Sequence, residues 1–391
     1  MITIPLDLPA PTSALHAQSD ALCRLIRKEI DQADSIAFSR FMMLALYEPT
    51  WGYYTAGLKK FGKTGDFITA PEISPLFSQC VGRQCQEIFT HLESCEILEI
   101  GAGTGKMAID LLLFLEQQRC LPSHYKIFEI SPTLKQRQQA RLRHHIPHLF
   151  PLIQWVDDWP TKPITGVILA NEVVDALPVD QFVWQGDAIY EKRVSYKDDR
   201  FCYHLSPLKD ERLFNQLSQL KKTYFPTAHR YQSEMCPQLA EWVTKLSLAL
   251  AQGVAFIMDY GYCAKDYYHV DNVNGTLRCY YQHRVHADPL TRIGLQDITA
   301  SVDFTRLAHA AVKADLNVVG YTSQAAFLLN NDLLPLVEKC YDELSSLDVN
   351  RHVHLLTSPS EMGELVKVMS LTRNCDFSLN GFKLYDKRMR L

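Results

Sequence analysis

The chain has 391 residues, 47% of them hydrophobic and 21% charged, enough apolar material for a large core and unlike a disordered chain. Its 40 Lys+Arg against 44 Asp+Glu leave a net charge of −4, without the positive excess that bulk nucleic-acid binding needs. No apolar run reaches the roughly 18–20 residues of a membrane span, and Met1–Pro11 lacks the basic flank and long apolar core of a secretory signal.

Residues 18–47 read as helical, with Leu22, Leu25, Ile26 and Ile30 at helical spacing and an apolar SIAFSRFMMLALY segment behind them. Residues 47–77 are rich in Gly, Pro and aromatics, and a loop this long is usually functional. From Cys95 the pattern alternates between strands and helices. CEILEI (95–100) is a strand, KMAIDLLLFLEQQ (106–118) a helix and KIFEI (126–130) a second strand, followed by a Lys/Gln/Arg-rich helix. LIQWVDD (152–158), Val167–Ala170 and GVAFIMDYG (253–261) supply three more strands. Such alternation predicts a parallel sheet with right-handed crossovers. An insertion at about 180–250 starts strand-like and continues as amphipathic helices, and residues 262–303 read as irregular. After a helical region to about 350, KVMSLTR and FKLYDKRMRL suit two closing antiparallel strands. The expected division is 1–94 for N-terminal helices and an active-site loop, and 95–391 for the core with its insertion.

The 11 cysteines are scattered, odd in number and form no C-x-x-C pair, so reduced thiols and a cytoplasmic or otherwise reducing compartment are expected. His144, His145 and His148, the strand-spaced His352 and His354, and the Cys80/Cys85 pair lack supporting ligands, so no metal site is expected.

The sharpest motif is Glu99-Ile-Gly101-Ala-Gly103-Thr-Gly105, where a strand ends and a helix begins. Glycines there let a ligand approach the backbone, and the helix N-terminus offers free N–H groups. A P-loop fails, because Ile100 and Met107 stand where Gly and Ser/Thr are required. A dinucleotide fingerprint fails at Lys106, which displaces the third glycine. The remaining pattern resembles the first motif of class I S-adenosyl-L-methionine (SAM) methyltransferases. Glu129, ending the second strand, is placed to accept two ribose hydroxyls, and Asp157 or Asp158, after the third, suits an adenine amino group. Trp155 and Trp159 are candidate walls for the ring.

With these residues in view, the chain resembles the MidA-like SAM-dependent methyltransferase family, which includes the mitochondrial complex I assembly factor that methylates an arginine. The matching segments are Tyr47-Glu-Pro-x-x-Gly52-Tyr53-Tyr54, Gly65-Asp66-Phe67-Ile-Thr69-Ala-Pro71-Glu72-Ile73, the glycine turn, Asn171-Glu172-x-x-Asp175-Ala-Leu-Pro178, Asp259-Tyr260-Gly261, Gly275-Thr276-Leu277-Arg278 and Asp297-Ile-Thr-Ala-x-Val-Asp303-Phe304. Asp180 departs from the residue expected after the Leu-Pro-Val step. The resemblance implies an α/β fold, a class I Rossmann-like sheet with an N-terminal helical region and a mixed helical/strand insertion. It implies SAM as cofactor, a protein substrate, with arginine as the methylated side chain and a respiratory complex subunit as one target, and leaves the oligomeric state open, a dimer included. Methylation of another substrate, or a scaffold that keeps the pocket without turnover, are the alternatives.

A guanidinium is planar and permanently charged, so carboxylates can hold it bidentately and aim one nitrogen. Glu172 and Asp175, after the fourth strand, are the candidates for that clamp, with Asn171 orienting them or touching the cofactor. Asp66, Thr69 and Glu72 are expected to belong to a lid over the cofactor. Asp259 and Tyr260 are expected to face the same site.

Overall fold

The computed structural model describes residues 8–57, 68–224, 230–340 and 346–391. The chain forms two compact units: Met1–Phe67, Ala176–Gln238 and Ala264–Ser301 make the first, and Ile68–Asp175, Leu239–Cys263 and Val302–Leu391 the second. The segment 1–94 therefore contributes to both.

In the first unit, helix α1 (Ser13–Ala33) starts at Thr12, whose hydroxyl accepts the Leu15 amide, and ends at Asp34 in a left-handed conformation. Its buried stripe of Leu22, Ile26 and Ile30 packs with Phe41, Met42 and Leu46 of α2 (Phe38–Tyr47). Four antiparallel strands follow, in the order Arg200–Pro207, Ala188–Lys197, Asp180–Gln185, Arg230–Met235. Asp180 accepts the Ser39 amide at 3.1 Å. The stretch read as irregular, 262–303, contains a three-stranded sheet of Arg284–His286, Arg278–Tyr281 and Asp297–Thr299. Buried Glu234 anchors it, accepting the Thr276 amide and hydroxyl at 2.6 and 2.5 Å.

The second unit is built on a mostly parallel sheet. Before it come α3 (Ala70–Ile73) and α4 (Pro75–Phe89). Then β1 (Glu96–Ile100), α5 (Lys106–Gln117), β2 (His124–Phe128), α6 (Pro132–His145), β3 (Ile153–Val156) and β4 (Ile164–Asn171) alternate. β5 (Leu250–Tyr262), β6 (Asn317–Ser323) and β7 (Val366–Arg373) complete it. The order across the sheet is β3-β2-β1-β4-β5-β7-β6. β1 to β5 are parallel, and β7 runs antiparallel to both β5 and β6. Val302–Asp303 adds a short parallel pairing at the end of β5.

The central strands β1, β4 and β5 read as continuous apolar runs because both faces are covered. Near their amino ends, the backbones of β4 and β5 approach closely at Gly166 and Gly253, which are in register. Both have positive φ, and a Cβ on Gly253 would stand 1.9 Å from the Gly166 carbonyl oxygen.

The expected sheet is present, with one exchange at its edge. FKLYDKRMRL does not form a strand but runs through short 3-10 turns, and Asn317–Ser323 takes the closing position. No helix follows β4 directly. The chain leaves Asp175 for the first unit and returns in the helix Leu239–Ala249 that feeds β5.

Candidate active site

The order β2-β1-β4 places a topological switch between β1 and β4, where open α/β sheets form a crevice at the carboxyl ends of their strands. The glycine turn leaves β1 there. Gly101, Gly103 and Gly105 have φ of 68°, 54° and 79°, so each occupies a backbone region that side chains disfavour. The Gly101 amide is held by the Phe128 carbonyl at 2.9 Å, and Gly105 opens α5 without a side-chain cap.

Around this turn stand the acids. Glu129 is buried; its Oε1 accepts the Ser131 amide at 2.9 Å and its Oε2 accepts Gln138 Nε2 at 2.8 Å. Gln138 Nε2 also donates to the Gly103 carbonyl at 3.0 Å, and Trp155 Nε1 donates to Gln138 Oε1 at 3.0 Å. Glu99 is buried inside the sheet and accepts the Tyr125 hydroxyl at 2.8 Å. Burial pushes its carboxyl up to about 7, the Tyr125 hydrogen bond opposes this, and the negative charge of Glu129 adds to it. Burial likewise raises Asp110, against the pull of its ion pair with Lys106.

The short helix α3 joins the two sides of the switch. Glu72 accepts the Thr104 hydroxyl from the glycine turn and lies 3.8 Å from the Arg141 guanidinium on α6. At the helix start, the Ala70 amide donates to Glu172 Oε1 at 3.4 Å. Thr69 precedes it in extended conformation and makes no side-chain cap.

After β4, Glu172 has φ 52°, unusual for a side-chain-bearing residue, and its amide bonds the Met258 carbonyl at 2.8 Å. Asn171 Nδ2 donates to Glu172 Oε1 at 3.3 Å, while Asn171 Oδ1 is a buried acceptor with no hydrogen-bond partner among the described residues. The next residues form a turn around Asp259 on β5. Its Oδ2 accepts the amides of Val173, Val174 and Asp175 at 3.1, 2.8 and 3.2 Å, and its Oδ1 that of Tyr260 at 2.9 Å. Burial pushes the Asp259 carboxyl upward and the four amides oppose it. The Asp175 side chain is buried.

The structure thus brings Gly101, Gly103, Gly105, Glu129, Thr69, Glu72, Asn171, Glu172 and Asp175 to the strand ends around the switch, with Glu99 beneath them. Asp157 is elsewhere in character: its carboxylate is 82% exposed and pairs with Lys135 at 2.6 Å. Asp158 accepts the Trp159 amide, and Trp159 packs edge-on against Phe128 and Trp242. Asp66 lies outside the described residues. Asp259 faces a backbone turn rather than open space. His352 and His354 lie on the helix Ser346–Thr357, not on a strand. Among the described residues no group of His, Cys, Asp and Glu could hold a metal ion, and no helix is long and apolar enough to cross a membrane.

Two partners escaped sequence reasoning, Gln138 and Tyr125. α6 is polar almost throughout, so periodicity is faint. Its buried residues Leu134, Gln138 and Leu142 are four apart, and a glutamine inside that stripe is the signal that marks it.

Comparison with known proteins agrees with this geometry. A family model described as "Putative S-adenosyl-L-methionine-dependent methyltransferase" matches residues 80–322. A Drosophila melanogaster protein named "Protein arginine methyltransferase NDUFAF7 homolog, mitochondrial" is 27% identical, across 94% of this chain and 88% of its own. The Xenopus laevis "Protein arginine methyltransferase NDUFAF7, mitochondrial" is 27% identical, across 91% and 85%. Their names place these relatives in a different compartment from the cytoplasm expected above. Among solved structures, a "likely methyl transferase" from Burkholderia thailandensis bound to S-adenosyl-homocysteine is 36% identical with a TM-score of 0.94, across 98% of this chain and 100% of that one.

Proposed function

The chain belongs to the S-adenosyl-L-methionine-dependent methyltransferase family matched above, and from that premise we propose that it methylates an arginine side chain of a protein. The observation that carries the reading is the turn after β4. It holds two acids, Glu172 and Asp175, at the switch point, on a backbone locked by Asp259. The curated relatives named protein arginine methyltransferases support the same acceptor.

The residues at the strand ends fit the cofactor. Glycines 101, 103 and 105 clear side chains from the turn, and a Cβ on Gly101 would stand 3.3 Å from Val173 Cγ2. Asn171 Oδ1 is a buried acceptor that no described residue satisfies, and it would suit a donor on the cofactor. In our reading the glycine turn, with Thr69 and Glu72 beside it, holds the amino-acid end, and Glu129 accepts the two ribose hydroxyls. Glu99 supports the turn from within the sheet. For Asp157 we keep an adenine-side role only as part of the rim, since its carboxylate faces solvent. The bound cofactor supplies a methyl group on a sulfonium centre.

This chain's own residues do the rest. Glu172 and Asp175 take guanidinium N–H groups in plane and concentrate positive charge on the nitrogens they hold. The remaining nitrogen, fixed in direction by the clamp, would accept the methyl group as the methyl–sulfur bond breaks, and the proton it sheds would pass to solvent. Asn171 and the Ala70 amide fix Glu172 Oε1 for that task. We include in the proposal a respiratory complex subunit as the target class that the family resemblance implies.

Purified protein incubated with methyl-labelled cofactor and cell extract tests this. Label recovered as methylarginine in protein is the expected result. Label confined to a small molecule or to another side chain would overturn the arginine assignment and favour a different acceptor.

A further inference from the structure

Gln138 lies in the middle of α6 and is fully buried. A buried primary amide carries two donors and an acceptor, and each is costly if unmatched. All are matched here, by the Gly103 carbonyl, Glu129 Oε2 and Trp155 Nε1 at 3.0, 2.8 and 3.0 Å. These partners also fix which way the amide points, because a carbonyl and a carboxylate only accept and an indole only donates. Gly103 follows β1, Glu129 follows β2 and Trp155 belongs to β3. One side chain on the covering helix therefore ties together the ends of three adjacent strands.

We infer that Gln138 is a positioning residue for the cofactor: anchored on the Gly103 carbonyl, it presets the Glu129 carboxylate before the ribose arrives. It touches the site through Glu129, whose other oxygen is held by the Ser131 amide. With both oxygens oriented, the acid meets two vicinal hydroxyls without reorganising, which lowers the cost of binding. The inference rests on the placement of the ribose at Glu129 proposed above.

The test is calorimetry of the full chain with S-adenosylhomocysteine and with its 2′,3′-dideoxy analogue. Gln138→Leu, close in size, removes all three bonds and is expected to weaken S-adenosylhomocysteine binding by roughly ten- to a hundredfold. The dideoxy analogue gives Glu129 nothing to accept from, so its affinity should change by less than about threefold, a split that general loosening does not produce. The Gln138→Leu, Glu129→Gln double variant should bind about as Glu129→Gln alone, because the two act as one unit. If Gln138→Leu folds poorly, Trp155→Phe carries the test, removing only the indole donor, with an expected loss of about threefold or more. Folded Gln138→Leu or Trp155→Phe binding as tightly as wild type, while Glu129→Gln loses affinity, overturns the inference. Equal losses for both ligands also overturn it. Wild-type affinity in Glu129→Gln overturns the ribose placement itself.

Discussion

At the scale of single residues, Glu172 is the most informative. A glutamate at positive φ costs of order 1 kcal/mol, and such strain persists only where the surroundings impose it. The Met258 carbonyl, Asn171 and the Ala70 amide impose it here. In the proposed mechanism this cost serves to aim a carboxylate. Glu172→Gln keeps the shape and removes the charge, so turnover should fall by about 100- to 1000-fold while S-adenosylhomocysteine affinity stays within about threefold. Steady-state rates beside calorimetry check it, and an active Glu172→Gln enzyme would refute the clamp. Glu99 gives a pH prediction. Its folded value is about 7 against an ordinary 4.5, so between those values the folded protein holds more protons than the unfolded chain. Stability should therefore fall as pH rises from about 4.5 to about 7 and level off above, by about 3 kcal/mol for this group. Glu99→Gln should remove that share of the slope in urea titrations of the ligand-free protein, leaving the variant the more stable at pH 8. Parallel curves for the two proteins would contradict this.

Elements differ in how far they could be read from sequence, and the reasons are physical. β1, β4 and β5 are covered on both faces, so their apolar runs announced them. FKLYDKRMRL alternates like a strand, yet Leu384 and Tyr385 are both exposed and the segment turns back. Phe382 packs its ring onto Gly320 of β6, and that tertiary contact is invisible in local pattern. In the site, the glycines and the acids at strand ends were legible by type and position. The Asp259 cradle was not, because it depends on a carboxylate from β5 reaching three amides more than 80 positions earlier. The same holds for the paired glycines: Gly166 and Gly253 are unremarkable alone and meaningful only in register. Gly253→Ala should destabilise the protein by about 3 kcal/mol or more, since the new Cβ has only rigid backbone to displace. Chemical denaturation measures it, and a loss under about 1 kcal/mol would show that the strands separate more easily than the structure implies.

At the scale of the whole molecule, the residues outside the parallel-sheet unit form the first unit. Two of the three segments of the first unit, Ala176–Gln238 and Ala264–Ser301, begin just after the carboxyl ends of β4 and β5; Glu172 directly follows the first strand and Asp259 lies on the second. The methyltransferase unit is consequently assembled from three pieces of sequence, and the 243 matched family positions span both units. The role proposed for Glu172 is to direct methyl transfer to protein arginine. Its most direct measurement is methylarginine in hydrolysed target protein after reaction with labelled cofactor, wild type beside Glu172→Gln. Labelled methylarginine is expected with wild type, and almost none with a variant that still binds S-adenosylhomocysteine. Equal labelling by both proteins, or label on any residue but arginine, would contradict it.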